Sequence, residues 1–197
     1  MKEYLYKSLE FIFDKHCAPF YLLNKEEIYE RADKYFNEID VNSKYKLIYV
    51  INRLIKDMFG PYDQHTVVTS TEYWDYYDSI PFVIDYLNDG FYICNTRLKD
   101  KELLYGKIVK INGISIDDLM IEMDNMTSYA NDTLKYARMC YLILNKEHLR
   151  CLPSIDENTD FFTFTVLCED GIERTVSFNE LDKMKDVSVN YGFKTRT

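Results

Sequence analysis

Glycine and proline are scarce in this 197-residue chain, at six and four residues. That is too few for flexible linkers or low-complexity spacers, and it implies secondary structure joined by tight connections. Basic residues are outnumbered, 24 Lys and Arg against 33 Asp and Glu, which leaves a formal net charge of -9. No basic stripe exists to focus a phosphate backbone, so nucleic acid is excluded as an expected partner. No run approaches the roughly 20 apolar residues that cross a bilayer, and no membrane span is expected. The five cysteines Cys17, Cys94, Cys140, Cys151 and Cys168 form no CxxC pair, which argues against a zinc site and a disulfide framework and for mostly buried thiols. His16 and Cys17 are adjacent, but two ligands without matching partners make no metal site. Neither a metal nor another cofactor is expected. The opening "MKEYLYKSLEFIFDKHC" mixes acids and lysines into its apolar pattern and has no small-residue cleavage site, unlike a signal peptide. The expected location is cytoplasmic if that N-terminus is native, and secreted or cell-envelope if a leader was removed.

What the chain has in quantity is apolar and aromatic surface. Hydrophobic residues make up 47% and aromatics 16%, with 18 tyrosines and 12 phenylalanines, enough to fill a core. Three helices are expected in residues 1–60. Leu5, Leu9 and Ile12 recur at helical spacing in the first. The second starts at Asn24, with Glu27 at the capping-box position, and carries Ile28, Ala32, Tyr35, Phe36 and Ile39 on one face. The third starts near Asn42 and Ser43 and carries Leu47, Ile48, Ile51, Leu54, Ile55 and Met58 before Gly60 and Pro61 end it.

From Pro81 the apolar period changes from helical to alternating. "PFVIDYLNDGFYICNT" reads as a hairpin turning at Asn88-Asp89-Gly90, where glycine tolerates the positive φ of the turn. A strand "KIVKING" follows Gly106 and turns at Asn112-Gly113. Ser115 then caps a short helix, with Asp117 and Asp118 complementing its dipole. One longer helix is expected between about Ser128 and Leu149, with Leu134, Ala137, Tyr141 and Leu144 as its inner face. A second hairpin turns at Asp170-Gly171, and the polar tail has no assigned structure. Helices first and hairpin-joined strands after them make an α+β fold rather than a doubly wound sheet.

Two stretches carry functional signal. "FGPYDQHTVV" places His65 where a helix stops and strand-like sequence begins. "YGKIVKINGISIDDL" runs a strand into an Asn-Gly turn and an acidic-capped helix, and resembles the "G-D-x-I-x-x-I-N-G" segment of PDZ-like domains. There a groove accepts a peptide as an extra strand. The order of parts, a helical bundle, a "D-x-H-T" loop, a strand pair and this PDZ-like segment, resembles the C-terminal-processing (tail-specific) and tricorn-core-like serine peptidases over about residues 25–180. The resemblance implies a helical bundle over 1–60, a connecting loop over 61–80 bearing His65, a PDZ-like α+β domain over 81–180 and a polar tail over 181–197. It implies that His65 is a general base, with Asp63 and Thr66 shaping its loop, and that Gly106, Lys107, Ile108, Ile111, Asn112 and Gly113 bind a peptide or unfolded protein segment. Tyr105 and Gly106 stand where the pattern has glycine and aspartate, and no carboxylate-binding loop precedes the first strand.

A serine peptidase also needs a nucleophile within reach of its base and oxyanion donors on a sharp turn. Ser70, Ser79, Ser115, Ser128, Ser154, Ser177 and Ser188 have no adjacent glycine and no "G-x-S-x-G" context. In the resembled family the nucleophile lies beyond the PDZ-like region, so the chain ending at Thr197 is expected to be catalytically incomplete alone. The alternative is a stand-alone peptide- or protein-binding module, with a ligand added beside "KIVKING" and His65 a loop histidine bonded to Asp63 or the backbone. A structural role through self-association of a sheet edge also stays open. So does thiol chemistry pairing Cys94 or Cys151 with His65 or His148. The aromatic cluster around Trp74 is either a ligand-facing surface or an acidic loop pinned by its rings.

Overall fold

The computed structural model describes residues 1–63, 65–69, 79–179 and 181–182. The Trp74 cluster, Ser70, Ser188 and most of the polar tail lie outside them.

Three amphipathic helices open the chain. α1 (Lys2–Lys15) buries Leu5, Leu9 and Ile12. α2 (Lys25–Glu38) buries Ile28, Ala32 and Tyr35, and its start is a capping box in which Asn24 and Glu27 satisfy each other's backbone N–H groups. α3 (Lys44–Phe59) is capped by Ser43 and ends at Gly60, whose φ of +83° is the left-handed conformation that glycine adopts without penalty. Both α1 and α2 pack on α3.

The strands follow as β1 (Phe82–Leu87), β2 (Gly90–Thr96), β3 (Lys107–Ile111), the two-residue β4 (Ile114–Ser115), β5 (Phe162–Leu167) and β6 (Glu173–Phe178). They form one antiparallel sheet in the order β1-β2-β3-β5-β6, with β4 folded back on β3. A kinked 3-10 segment, Leu98–Leu103, joins β2 to β3. The register in β3 shifts between Ile108 and Lys110, opposite β5. Such a bulge turns both Ile108 and Ile111 inward although they are three positions apart, and both are fully buried. Phe82, Phe164 and Phe178 meet edge to face at the centre of the inner layer. The fold is α+β, as the change of apolar period implies.

α4 (Ile116–Asn125) is capped by Ser115 and packs on β3 and β4. The single long helix expected to follow is two, α5 (Asp132–Leu144) and α6 (Lys146–Cys151). The break is at Asn145, whose backbone is extended and whose side chain accepts the His148 N–H as the cap of α6. Asparagine competes for backbone partners and so favours caps over helix interiors. The inner face of α5 also differs from the expected one. Met139, Leu142, Ile143 and Leu144 are buried, whereas Ala137 is exposed. α5 packs on β1, where Tyr136 stacks on Tyr86 with centroids 3.7 Å apart, and α6 packs on α3. One contiguous core runs from Leu5 through the sheet to Phe178. Among the described residues no helix is long and apolar enough to cross a membrane.

Candidate functional site

The chain leaves α3 at the buried Gly60 and reaches the surface at Pro61, and the segment that follows is held at both ends. At its start the Pro61 carbonyl accepts the Tyr129 N–H at 2.7 Å, and Ser128 Oγ donates to the Gly60 carbonyl at 3.4 Å, both from the connection between α4 and α5. At its far end the Asn52 side chain on α3 forms two hydrogen bonds with the Val68 backbone, Nδ2 donating to the carbonyl at 2.8 Å and Oδ1 accepting the N–H at 2.9 Å. Between them Asp63 Oδ1 accepts the His65 N–H at 3.0 Å, the Asx turn that an Asp two residues upstream forms readily. Burial would push the Asp63 carboxyl up, but the Thr66 hydroxyl and the His65 and Thr66 N–H groups beside it outweigh that and hold the group below its ordinary value.

These contacts leave the His65 side chain exposed on a fixed backbone. Among the described residues no hydroxyl, thiol or carboxylate is hydrogen-bonded to its ring. The described serines have other tasks. Ser8 bonds the Tyr4 carbonyl, Ser43 and Ser115 cap α3 and α4, Ser128 holds Gly60, Ser154 binds Glu122, Ser177 pairs with Thr163, and Ser79 is buried.

Behind the loop lies a cavity of about 210 Å³ between α3, α5 and α6. Ile48, Ile55 and Met126 form apolar wall, and Asn52, Asp63, Thr66, Arg138, His148 and Cys151 bring polar groups to it. Burial drives the His148 imidazole down to about 3 and the Cys151 thiol up to about 12. Both groups are therefore neutral at physiological pH, and Cys151 is held away from the thiolate that nucleophilic chemistry requires. Cys94 is raised as well, again chiefly by burial. His16 stacks on Phe59 with centroids 4.0 Å apart, and its Nδ1 accepts the Ala18 N–H. Among the described residues no cluster of three His, Cys, Asp or Glu side chains is placed to hold a metal ion.

The resemblance-derived peptide segment sits elsewhere, in the middle of the sheet. Gly106 is buried, and the backbone at Tyr105 and Gly106 bonds to Ile93. Lys107 pairs with Tyr92 on one side and Leu167 on the other, and its Nζ reaches Asp89 at 3.0 Å. Ile108 and Ile111 belong to the core. Asn112 and Gly113 have φ of 50° and 81°, the left-handed pair of a two-residue hairpin turn, and Asn112 also clasps Thr163 through its N–H and its Oδ1. Among the described residues β2 and β4 pair with the two ends of one edge of β3, and β5 pairs along the other. The outer strands of the described sheet are β1 and β6.

Asn52 escaped notice in the sequence although it carried a signal. It is a polar residue within the otherwise apolar face Ile48, Ile51, Leu54 and Ile55, a position where burial requires a dedicated partner.

No protein-family model matches the chain, and no curated protein matches it in sequence. Solved structures of CPAF, a chlamydial serine protease, do match in fold. Mature CPAF superposes with a TM-score of 0.57 at 13% identity, over 90% of this chain and 34% of that one. A serine-to-alanine mutant of CPAF gives 0.54 at 14% identity, over 90% and 33%. Mature CPAF complexed with lactacystin gives 0.50 at 13% identity, over 90% and 34%. The chain spans about a third of the length of the structures that it matches, and at these identities the likeness is one of fold.

Proposed function

We propose that this chain is the helical and sheet-bearing part of a serine-peptidase-like protein, with a peptide or unfolded protein segment as substrate. His65 is its general base, and the nucleophilic serine comes from outside the described residues. The exposed imidazole on a loop fixed at Pro61, Asp63 and Val68 carries this reading. A general base must meet its nucleophile in one geometry, and a backbone anchored on both sides of the histidine supplies that without reorganisation. The fold shared with CPAF supports it. In the assembled site His65 takes the proton from the serine hydroxyl as it attacks the scissile carbonyl, then returns it to the leaving amine.

The test is made on the whole product of the native coding sequence, read past codon 197. Hydrolysis of an unfolded protein and labelling by a fluorophosphonate are expected in the unaltered product and lost by a factor of about 10³ or more in His65→Ala. Full activity after His65→Ala would overturn the role.

A second reading is a binding module without activity. It is favoured by the absence, among the described residues, of any nucleophile bonded to His65. A peptide would then add along the outer edge of β1 or β6 rather than beside β3, and binding would be unaffected by His65→Ala. Titration with peptides having free and amidated C-termini distinguishes the two.

A further inference from the structure

We propose that Asn52 is a positioning residue for His65, acting through Val68: its amide replaces the missing strand partner of the loop and sets the backbone that presents the imidazole. The inference rests on the reading of His65 as a base for its functional meaning, but not for its geometry.

Asn52 sits in the body of α3 and is only 3% exposed. Asparagine is a poor helix former, and a buried amide has two donors and an acceptor to satisfy. Nothing in helix packing calls for it there, and a leucine would extend the apolar face. The amide matches Val68 instead. One N–H meets the carbonyl and the oxygen meets the N–H, at 2.8 and 2.9 Å, the same exchange that two facing residues make in an antiparallel ladder. His65 lies three residues upstream, between this clamp and the Pro61 anchor. Removal of the amide frees the loop on one side and leaves two half-buried backbone groups without their partners.

An isosteric replacement separates positioning from general stability. In Asn52→Asp the protonated carboxyl has one acceptor and one O–H donor in the shape of the amide, whereas the carboxylate accepts only. The clamp in that variant closes at acid pH and opens as the group ionises. The charged or titratable groups that share the cavity with position 52 are Asp63 from the loop, Arg138 and Tyr141 from α5, and His148 and Cys151 from α6. The unaltered chain carries all of them and serves as the control for their own titration.

The experiment is amide exchange and backbone residual dipolar couplings by NMR on the full chain, unaltered and with Asn52→Ala or Asn52→Asp. Protection of the Val68 amide is expected to fall by about tenfold in Asn52→Ala, with the couplings of residues 65–68 changed and those of α3 retained. Asn52→Asp is expected to recover protection on acidification, which the unaltered chain does not do. Unchanged Val68 protection and couplings in Asn52→Ala would overturn the proposal. If Asn52→Ala does not fold, Asn52→Asp decides alone, and equal protection at both ends of its titration is the overturning result. Failure of the clamp leaves the base reading of His65 standing, and an active His65→Ala product leaves the clamp standing.

Discussion

Lys46 Nζ lies 2.5 Å from the backbone oxygen of Leu152, with further bonds to Ile155 O at 2.7 Å and Arg150 O at 3.0 Å. An ammonium on α3 thus closes the carbonyl end of α6, satisfying acceptors that a helix terminus leaves open. Burial lowers the Lys46 group below its ordinary value, partly offset by acids that include Glu157. Lys46→Met keeps the stem and removes the donor. It is expected to cost about 3 kcal/mol in urea unfolding, because three main-chain oxygens lose the ammonium at once and only that of Leu152 keeps another donor, the Ile155 N–H. A loss below about 0.5 kcal/mol would mean that water substitutes for the ammonium.

His148 predicts a dependence on pH. Its folded pKa is depressed from 6.5 to about 3 by burial. Below pH 6.5 the unfolded chain takes up a proton that the folded chain refuses, so stability falls as pH falls from about 6.5 towards 3. Between pH 7 and 5 this one group withdraws about 2 kcal/mol. His148→Leu is expected to flatten that part of the profile, measured as urea midpoints at the two pH values. An unchanged slope in the variant would assign the acid sensitivity to other groups.

How much was legible follows from which interactions are local. The caps at Asn24, Ser43 and Ser115 and the turns at Gly90, Gly113 and Gly171 depend on residues a few positions apart, and the structure has them where the spacing put them. The break at Asn145 was missed because an asparagine within an apolar period looks like a tolerated surface residue until its side chain is seen capping α6. A ligand was expected beside "KIVKING", and that β3 has strand neighbours on both sides was not legible there, for a non-local reason. Its second neighbour, β5, begins 51 residues after β3 ends, at Phe162 against Ile111, and no local pattern announces that pairing. The Asp63 to His65 contact was readable from the "YDQHT" spacing, whereas the clamp from Asn52 joins positions 16 apart.

The thiols offer a check on the cavity. Cys151 and Cys140 are pushed up to about 12, chiefly by burial, while Cys17 is exposed. Iodoacetamide at neutral pH is expected to label Cys17 first and to spare Cys140 and Cys151 until denaturant is added, with sites read by peptide mass. Labelling of Cys151 at the rate of Cys17 would revive thiol chemistry with His148 on the same helix.

Gly106 separates a packing role from a ligand role. Its flanking pattern resembles a peptide-binding segment, yet a Cβ built there collides with Val166 Cγ1 and stands 3.0 Å from the Leu103 oxygen. Gly106→Ala is therefore expected to destabilise by about 1–3 kcal/mol through overpacking between β3 and β5. Val166→Ala removes the methyl in the way, at the cost of a small cavity of its own. Contact makes the pair non-additive, and the double variant should lose about 1 kcal/mol less than the sum of the single losses. A full cycle of urea unfolding on the four proteins measures that coupling. Additive losses would show that Val166 is not what demands glycine at 106, and would return the residue to the list of candidate ligand contacts.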